Sequence, residues 1–269
     1  MIILTAANTD IAKTDSGGVY KNFSFRSVIQ KTVKQAEEYG YKPIVYDLGS
    51  LGIGKPFHIK DETFATKGYY EKEAQKGYKS KSLFKPEMVK SCMEEYNDFI
   101  VYLDGDAQLC ANIDGIVEDD YDIGVTLRDP LEFESEWYKE YFEIVKYVNA
   151  GVIFFQPTLA AKRFIDIWHK RTKEVGNDQK ALNQLTCPDY YPKVNSILTI
   201  NGVRIKYFPG KLYNYYYFQY GLEAKTKIMH FKGSVRHFYP FDWKKRLYCM
   251  TVIPAINIIR PLARKLSLR

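Results

Sequence analysis

Two aspartates separated by a glycine, Asp104-Gly105-Asp106, follow directly on the apolar run Phe99-Ile100-Val101-Tyr102-Leu103. A buried strand ending in two carboxylates sets hard oxygen ligands at the C-terminal edge of a sheet, where open α/β folds bind their ligands. Such donors suit Mg²⁺ or Mn²⁺ held together with substrate phosphates. The spacing alone is short, and a plain Asp-Gly turn also produces it. Asp120-Tyr121-Asp122 repeats the spacing inside the acidic run Glu118 to Asp122 and follows no apolar strand, so it is read as a solvated loop. Context separates the two copies.

A second cluster is Ile228-Met229-His230-Phe231-Lys232-Gly233, with Arg236 just beyond it. A short strand here delivers an imidazole, then a cation and a glycine. An imidazole nitrogen can complete a coordination shell begun by carboxylates, more readily for Mn²⁺ than for the harder Mg²⁺. Lys232, Arg236 and the Gly233 N–H stand where charge-assisted hydrogen bonds to a diphosphate are available.

The elements that must position these groups follow from periodicity. Met1 to Ala7 is a short apolar run without helical period, read as a buried first strand. Phe25, Val28, Ile29, Thr32, Val33 and Ala36 form one helical stripe that stops at Gly40, and Pro43 to Tyr46 is a second strand. Strand, helix and strand with short connections make a parallel crossover. After a stretch to Lys81 without firm period, Pro86 opens a helix whose buried face is Met88, Val89, Cys92, Met93 and Tyr96 and which ends at Asn97-Asp98. Strands are expected at 99–103, 123–127, 152–155, 203–208 and 227–231, and helices from Thr158 through Trp168 and from Asp178 to Leu185. No internal repeat or flexible linker divides the chain.

Composition limits the function classes. In 269 residues, 46% are apolar and 26% charged, values that exclude wholesale disorder or a coiled coil. The net charge of +7 is concentrated: 243–269 holds seven Lys and Arg and no acid, so 1–242 is neutral overall. A nucleic-acid binder would spread its basic residues through the folded body, so no nucleic-acid partner is expected. The tail reads either as a basic amphipathic contact with an anionic membrane or as a frayed solvated end. Its longest apolar run, Leu247 to Ile259, is shorter than the roughly 20 residues a membrane span needs. Cys92, Cys110, Cys187 and Cys249 show no C-x-x-C pairing and are read as reduced thiols. The N-terminus lacks a signal-peptide pattern, so a cytoplasmic location is expected. Tyr213 to Tyr220 is an aromatic block that suits either a sugar-stacking platform or a packed strand.

Five segments in order, Thr5-Ala6-Ala7-Asn8, Tyr102 to Asp106, Asn149-Ala150-Gly151-Val152, Asn177 to Asn183 and His230 to Gly233, resemble the nucleotide-sugar glycosyltransferases of GT-A fold. The likeness is to the retaining family 8 group and related nucleotide-diphospho-sugar transferases, and it covers about residues 1 to 240. It implies a Rossmann-type mixed α/β sheet flanked by helices, with a single transferase domain at 1–242 and a basic appendage at 243–269. It implies transfer of a sugar from a nucleotide diphosphate, UDP being expected, to a hydroxyl of a glycan or lipid-linked acceptor with retention. Asp104, Asp106 and His230 would hold Mn²⁺ or Mg²⁺. Thr5, Ala6, Ala7 and Asn8 would cradle the nucleotide, Asp104 would lie near its ribose, and Gly105 is counted with the donor-binding residues. Asn149 and Gly151 would line the sugar pocket, Asp178 and Gln179 would contact the transferred sugar as catalytic residues, and Lys232 with Gly233 would face the diphosphate. In place of the family's Lys-Pro-Trp this chain has Arg236-His237, and Arg236 is counted with the donor-binding residues. Lys81 and Lys85 precede the second helix, where the family often has a basic donor contact, and Lys85 is counted likewise.

Asp178 also reads as a helix-terminal acid complementing the dipole, so its role stays open. Three other functions share parts of the pattern. A haloacid dehalogenase-type phosphatase would have Thr where Gln108 stands, and a nucleotidyltransferase would have a glycine-rich basic loop where Ala6-Ala7-Asn8 stands. A carbohydrate-binding protein without catalysis would not need Asp104, Asp106 and His230 together.

Overall fold

The computed structural model describes residues 1–7, 23–48, 52–57, 85–216, 225–232, 235–236, 239–240, 242, 244–245, 247–248, 250–252 and 255. Strand β1 (Ile2–Ala7) leads to helix α1 (Phe25–Glu38), which returns to strand β2 (Lys42–Asp47). β2 pairs parallel with β1, as the crossover pattern requires. Ser24 caps α1 by accepting from the Ser27 N–H, and the expected stripe of Phe25, Val28, Ile29, Thr32 and Ala36 is buried.

Two-residue strand β3 (Lys55–Pro56) and helix α2 (Lys85–Tyr96) precede strand β4 (Ile100–Leu103), which pairs parallel with β1. Then come strand β5 (Ala107–Leu109), strand β6 (Ile123–Leu127), short helices α3 (Glu136–Glu140) and α4 (Phe142–Val145), and strand β7 (Val148–Phe155). Helices α5 (Leu159–Val175) and α6 (Asp178–Thr186), strands β8 (Ile197–Ile200) and β9 (Val203–Pro209), one-turn helix α7 (Gly210–Tyr213) and strand β10 (Ile228–His230) complete the strands and α-helices of the described residues.

Eight strands form one sheet in the order β3-β2-β1-β4-β7-β6-β9-β8, and β10 with β5 forms a separate ribbon. β7 runs antiparallel to both β4 and β6, which makes the sheet mixed. Alternating side chains divide the core between two faces: Ile2, Leu4, Ile100, Tyr102, Ile153 and Phe155 pack with α2, α5 and α6, whereas Ile3, Val101, Leu103, Val152 and Phe154 face the α1 side. A third cluster, including Phe23, Phe25, Val28, Met229, Phe231 and Tyr239, backs the β5–β10 ribbon, and Met250 of the tail packs on it.

Several boundaries differ from the sequence reading. β7 starts at Val148 rather than at 152, so Asn149-Ala150-Gly151 is strand, not a lead-in. α5 runs on to Val175 and stops at Gly176, whose left-handed φ of 69° ends the helix. β5 and β8, three and four residues long, carry too little pattern to be noticed. Asp122 is not solvated: it is 3% exposed, and it accepts from the backbone and guanidinium of Arg204 and from Thr158 Oγ1. Burial opposes its charge, but these donors outweigh it and hold the carboxyl below its ordinary value. Cys92, Cys110 and Cys187 are free thiols; Cys249 lies outside the described residues. No helix among the described residues is long and apolar enough to cross a membrane.

Candidate active site

The parallel pair β1 and β4 ends at Ala7 and Leu103 on the same edge, and the acidic turn starts there. The Ala107 N–H closes the turn on the Asp104 carbonyl at 2.8 Å, and the Asp104 N–H bonds Gly151 O of β7 at 2.8 Å. A Cβ at Gly105 would stand 2.6 Å from the Ala6 carbonyl oxygen, so the residue between the two acids must lack one for the turn to lie against β1.

The turn feeds straight into β5, and β5 recruits the histidine. β10 pairs antiparallel with β5, setting His230 opposite Ala107, and the Phe231 N–H bonds the Asp106 carbonyl at 2.8 Å. His230 Nε2 consequently lies 3.1 Å from Asp106 Oδ1 and 3.8 Å from Asp104 Oδ2. One ligand atom from each of the three side chains falls within a 4.8 Å span. Two carboxylates and one imidazole match the donor set of a divalent cation that also takes substrate oxygens. The residues therefore fit a metal. His230 is 2% exposed while the Asp104 side chain is 24% exposed, so the opening lies on the Asp104 side.

Cations surround the acids. Arg236 Nη2 contacts Asp106 Oδ2 at 3.2 Å while its Nε donates to the Phe231 carbonyl, and its guanidinium lies over the rings of Phe23 and Phe25. Burial would raise the Asp106 carboxyl, but His230 and Arg236 together hold it below its ordinary value. Lys232 is held down by burial and then by neighbouring Arg128, against the pull of Asp104. Lys85 Nζ reaches Asp104 at 3.0 Å, Asp178 Oδ2 at 3.0 Å and the Ala150 carbonyl at 3.3 Å. Burial opposes its charge, yet the two carboxylates raise it well above the ordinary lysine value.

Asp178, wholly buried in the first turn of α6, is pushed above its ordinary value by burial despite Lys85. Lys85 and the Gln179 backbone N–H offset that burial only in part. It does stand in the first turn, as an acid complementing the helix dipole would, but buried. Gln179 is fixed by β7: the Ala150 N–H donates to its Oε1 and its Nε2 donates to the Val148 carbonyl, both at 2.8 Å. Here β7 extends past the end of β4, and the carboxamide takes the place of the missing strand. Asn149 Oδ1 accepts from the Gly151 N–H at 2.8 Å. The space beside Gly151 is filled by the His230 ring, whose Nδ1 would be 2.6 Å from a Cβ built there. Thr5 is buried with its hydroxyl oxygen unpartnered, Ala7 is fully buried and Ala6 faces Gly105.

Asn8, Gly233, Lys81, His237 and the 217–220 part of the aromatic block lie outside the described residues. The remaining rings of that block, Tyr213, Tyr215 and Tyr216, are buried, so they offer no open face for stacking. Two site residues escaped the sequence reading. Tyr102 donates its hydroxyl to Asp104 Oδ1 at 3.1 Å, and its position two residues earlier on the same strand face could have signalled it. Asn214 bonds His230 Nδ1 at 2.9 Å, and nothing in the sequence marks it.

The fold has relatives among solved structures. Galactosyltransferase LgtC, solved with donor and acceptor sugar analogs, aligns over 96% of this chain and 95% of its own with a TM-score of 0.54 and 15% identity. A glycosyltransferase involved in glycosylation of the major capsid of PBCV-1 aligns over 88% of this chain and 97% of its own, with a TM-score of 0.53 and 13% identity. At such identities the likeness speaks for the fold. No curated protein matches the chain by sequence. The family model of the nucleotide-diphospho-sugar transferases matches residues 54–237, a span that includes both aspartates, His230 and the Asn177 to Asn183 segment. With more than half of the chain covered, this protein belongs to the nucleotide-diphospho-sugar transferase family and is a glycosyltransferase of GT-A fold.

Proposed function

We propose that the enzyme moves a sugar from a UDP-linked donor to a hydroxyl of a glycan or lipid-linked acceptor, with retention, using Mn²⁺ or Mg²⁺ held by Asp104, Asp106 and His230. The observation that carries this reading is the 4.8 Å convergence of those three side chains beneath Lys85, Lys232 and Arg236. A divalent cation bound there supplies Lewis-acid neutralisation of the diphosphate leaving group.

The chain's own residues do the rest. Lys232, with Gly233, and Arg236 hold diphosphate oxygens by charge-assisted bonds. Thr5 offers its unpartnered hydroxyl, and with Ala6, Ala7 and Asn8 it borders the nucleotide; Gly105 lets Asp104 approach the ribose. Asn149 and Gly151 line the sugar pocket. Asp178 and Gln179 act on the sugar itself: Asp178 offers a buried carboxylate that stabilises positive charge, and Gln179 keeps its Oε1 fixed through the bonds to β7. Lys85 locks Asp178 to Asp104, so the sugar-facing and metal-facing acids move as one unit. The tail, with seven cations, no acid and exposed Leu247, Tyr248 and Val252, is proposed to rest on an anionic membrane surface where lipid-linked acceptors are found.

The test is Mn²⁺-dependent release of nucleoside diphosphate from a panel of nucleotide sugars, followed by NMR of the product's anomeric proton. Turnover is expected with a UDP-sugar, to be abolished by Asp104→Ala or Asp106→Ala. Turnover that survives both substitutions, or none with any sugar nucleotide, defeats the proposal.

A further inference from the structure

Asn214 is completely buried at the point where α7 meets β10, and it touches His230 on the side away from the two aspartates. Its Oδ1 lies 2.9 Å from His230 Nδ1, while its Nδ2 lies 2.8 Å from Thr126 Oγ1 and 3.2 Å from Asn149 Oδ1. The direction of every bond in this chain is dictated by backbone groups that have no choice. The Gly151 N–H can only donate, and at 2.8 Å it fixes the oxygen of Asn149 as its acceptor. The carbonyls of Asn149 and Val152 can only accept, and they take the hydroxyl hydrogen of Thr126 at 3.3 and 3.4 Å. Thr126 Oγ1 and Asn149 Oδ1 therefore both present lone pairs to Asn214, which must answer with its NH₂. The opposite amide orientation would set oxygen against oxygen at Asn149, 3.2 Å away. Once the NH₂ is placed, Asn214 Oδ1 faces Nδ1, and an amide oxygen can only accept.

We propose that Asn214 is the positioning residue that keeps a hydrogen on His230 Nδ1, so that Nε2 is the nitrogen offered to a cation beside Asp104 and Asp106. The inference rests on the metal-site reading above. It assigns the tautomer to a polarity relay that starts at the backbone of β7 and passes through Asn149, Thr126 and Asn214. The ring is closely confined: a Cβ built on Gly151 would lie 2.6 Å from Nδ1, and Tyr216 packs edge-on with centroids 5.8 Å apart. Nε2, 3.1 Å from Asp106 Oδ1, is then the nitrogen on which a cation would replace hydrogen.

The experiment uses the metal-free full chain with ¹⁵N-labelled histidine. Two-bond ¹H–¹⁵N correlation at alkaline pH reads which nitrogen carries hydrogen, with the His230 signals assigned by His230→Gln, and Mn²⁺ uptake is followed by EPR. The expected wild-type spectrum has hydrogen on Nδ1. In Asn214→Leu hydrogen is lost from Nδ1 and found on Nε2 alone, facing Asp106, and Mn²⁺ affinity falls about 10- to 100-fold. Thr126→Val, which does not touch His230, moves both readouts in the same direction by less, since Asn149 still orients Asn214. A wild-type spectrum with hydrogen on Nε2 alone overturns the proposal without any variant. An unchanged tautomer and Mn²⁺ affinity in a folded Asn214→Leu protein does so too. No Mn²⁺ uptake by wild type, with the Nδ1–H spectrum intact, overturns the metal-site reading and separates its failure from that of the relay.

Discussion

Replacing Gly151 by alanine tests how tightly the strand backbone and the histidine are fitted. The added Cβ would lie 2.6 Å from His230 Nδ1 and 2.9 Å from Asn149 Oδ1, closer still to the ring carbon Cε1. Ordinary contact begins at 3.4 Å, so the ring must retreat from 2.6 Å to at least that distance. It has nowhere free to go, being 2% exposed and held at 2.9 Å by Asn214 on one side and at 3.1 Å by Asp106 on the other. Coordination tolerates only about 0.2 Å of error in ligand distance, so a shift of this size removes the imidazole from the set. Mn²⁺ affinity is expected to fall about 10- to 100-fold, by analogy with the loss of a supporting contact to a metal ligand. Overpacking should also cost about 1–3 kcal/mol of stability. Gly124→Ala is the control: its Cβ would meet Phe208 and Phe154 in the core, at 2.6 and 2.8 Å, away from the acids. It should lose similar stability and keep Mn²⁺ affinity. EPR titration with urea unfolding reads both quantities. Unchanged affinity in Gly151→Ala, or equal affinity losses in both variants, refutes the reasoning.

Lys85→Met leaves Asp178 buried beside Asp104 with no cation, and breaking such a buried pair should cost about 3–5 kcal/mol at neutral pH by urea unfolding. Burial already raises Asp178, and removing Lys85 raises it further, so the penalty should shrink as pH falls through that raised value toward the ordinary carboxylate range. A pH-independent loss would contradict this. Asp122→Asn should cost about 2 kcal/mol at neutral pH. Because the folded carboxyl is depressed by Arg204 and Thr158, its contribution is present above the ordinary Asp value and lost as pH falls through the depressed one, so the variant's acid-unfolding curve should be shallower than wild type's. The full chain should co-sediment with vesicles containing anionic phospholipid and not with neutral ones; replacing Lys244 and Lys245 by glutamate should weaken that binding, and equal sedimentation with both vesicle types would remove the membrane proposal.

Local pattern was sufficient for the helices that carry a strong stripe and for the central strands. Phe25 to Ala36 and Met88 to Met93 each have an apolar side that can only be buried against the sheet, so their type and orientation are legible from spacing. The short strands are different. Ala107-Gln108-Leu109 has no pattern of its own and becomes a strand only because Ile228 to His230 pairs with it. Asp122 was misread for a related reason: its acidic neighbours suggest solvent, whereas the partner that buries it, Arg204, lies far along the chain.

The order of residue types along the chain was enough to name the two aspartates, the histidine, the basic residues near them and the family they resemble, because hard oxygen and imidazole donors imply a chemistry wherever they are assembled. Which groups each would face depended on long-range pairing. The β5–β10 ribbon brings His230 to Asp106, the overhang of β7 occupies the amide of Gln179, and the burial of Lys85 ties Asp178 to Asp104. A side chain's partner is set by where distant strands align, and a one-dimensional pattern does not encode that register for strands of three residues. The proton on His230 follows the same logic, since the backbone carbonyls and N–H that direct it belong to a strand some eighty residues earlier in the chain.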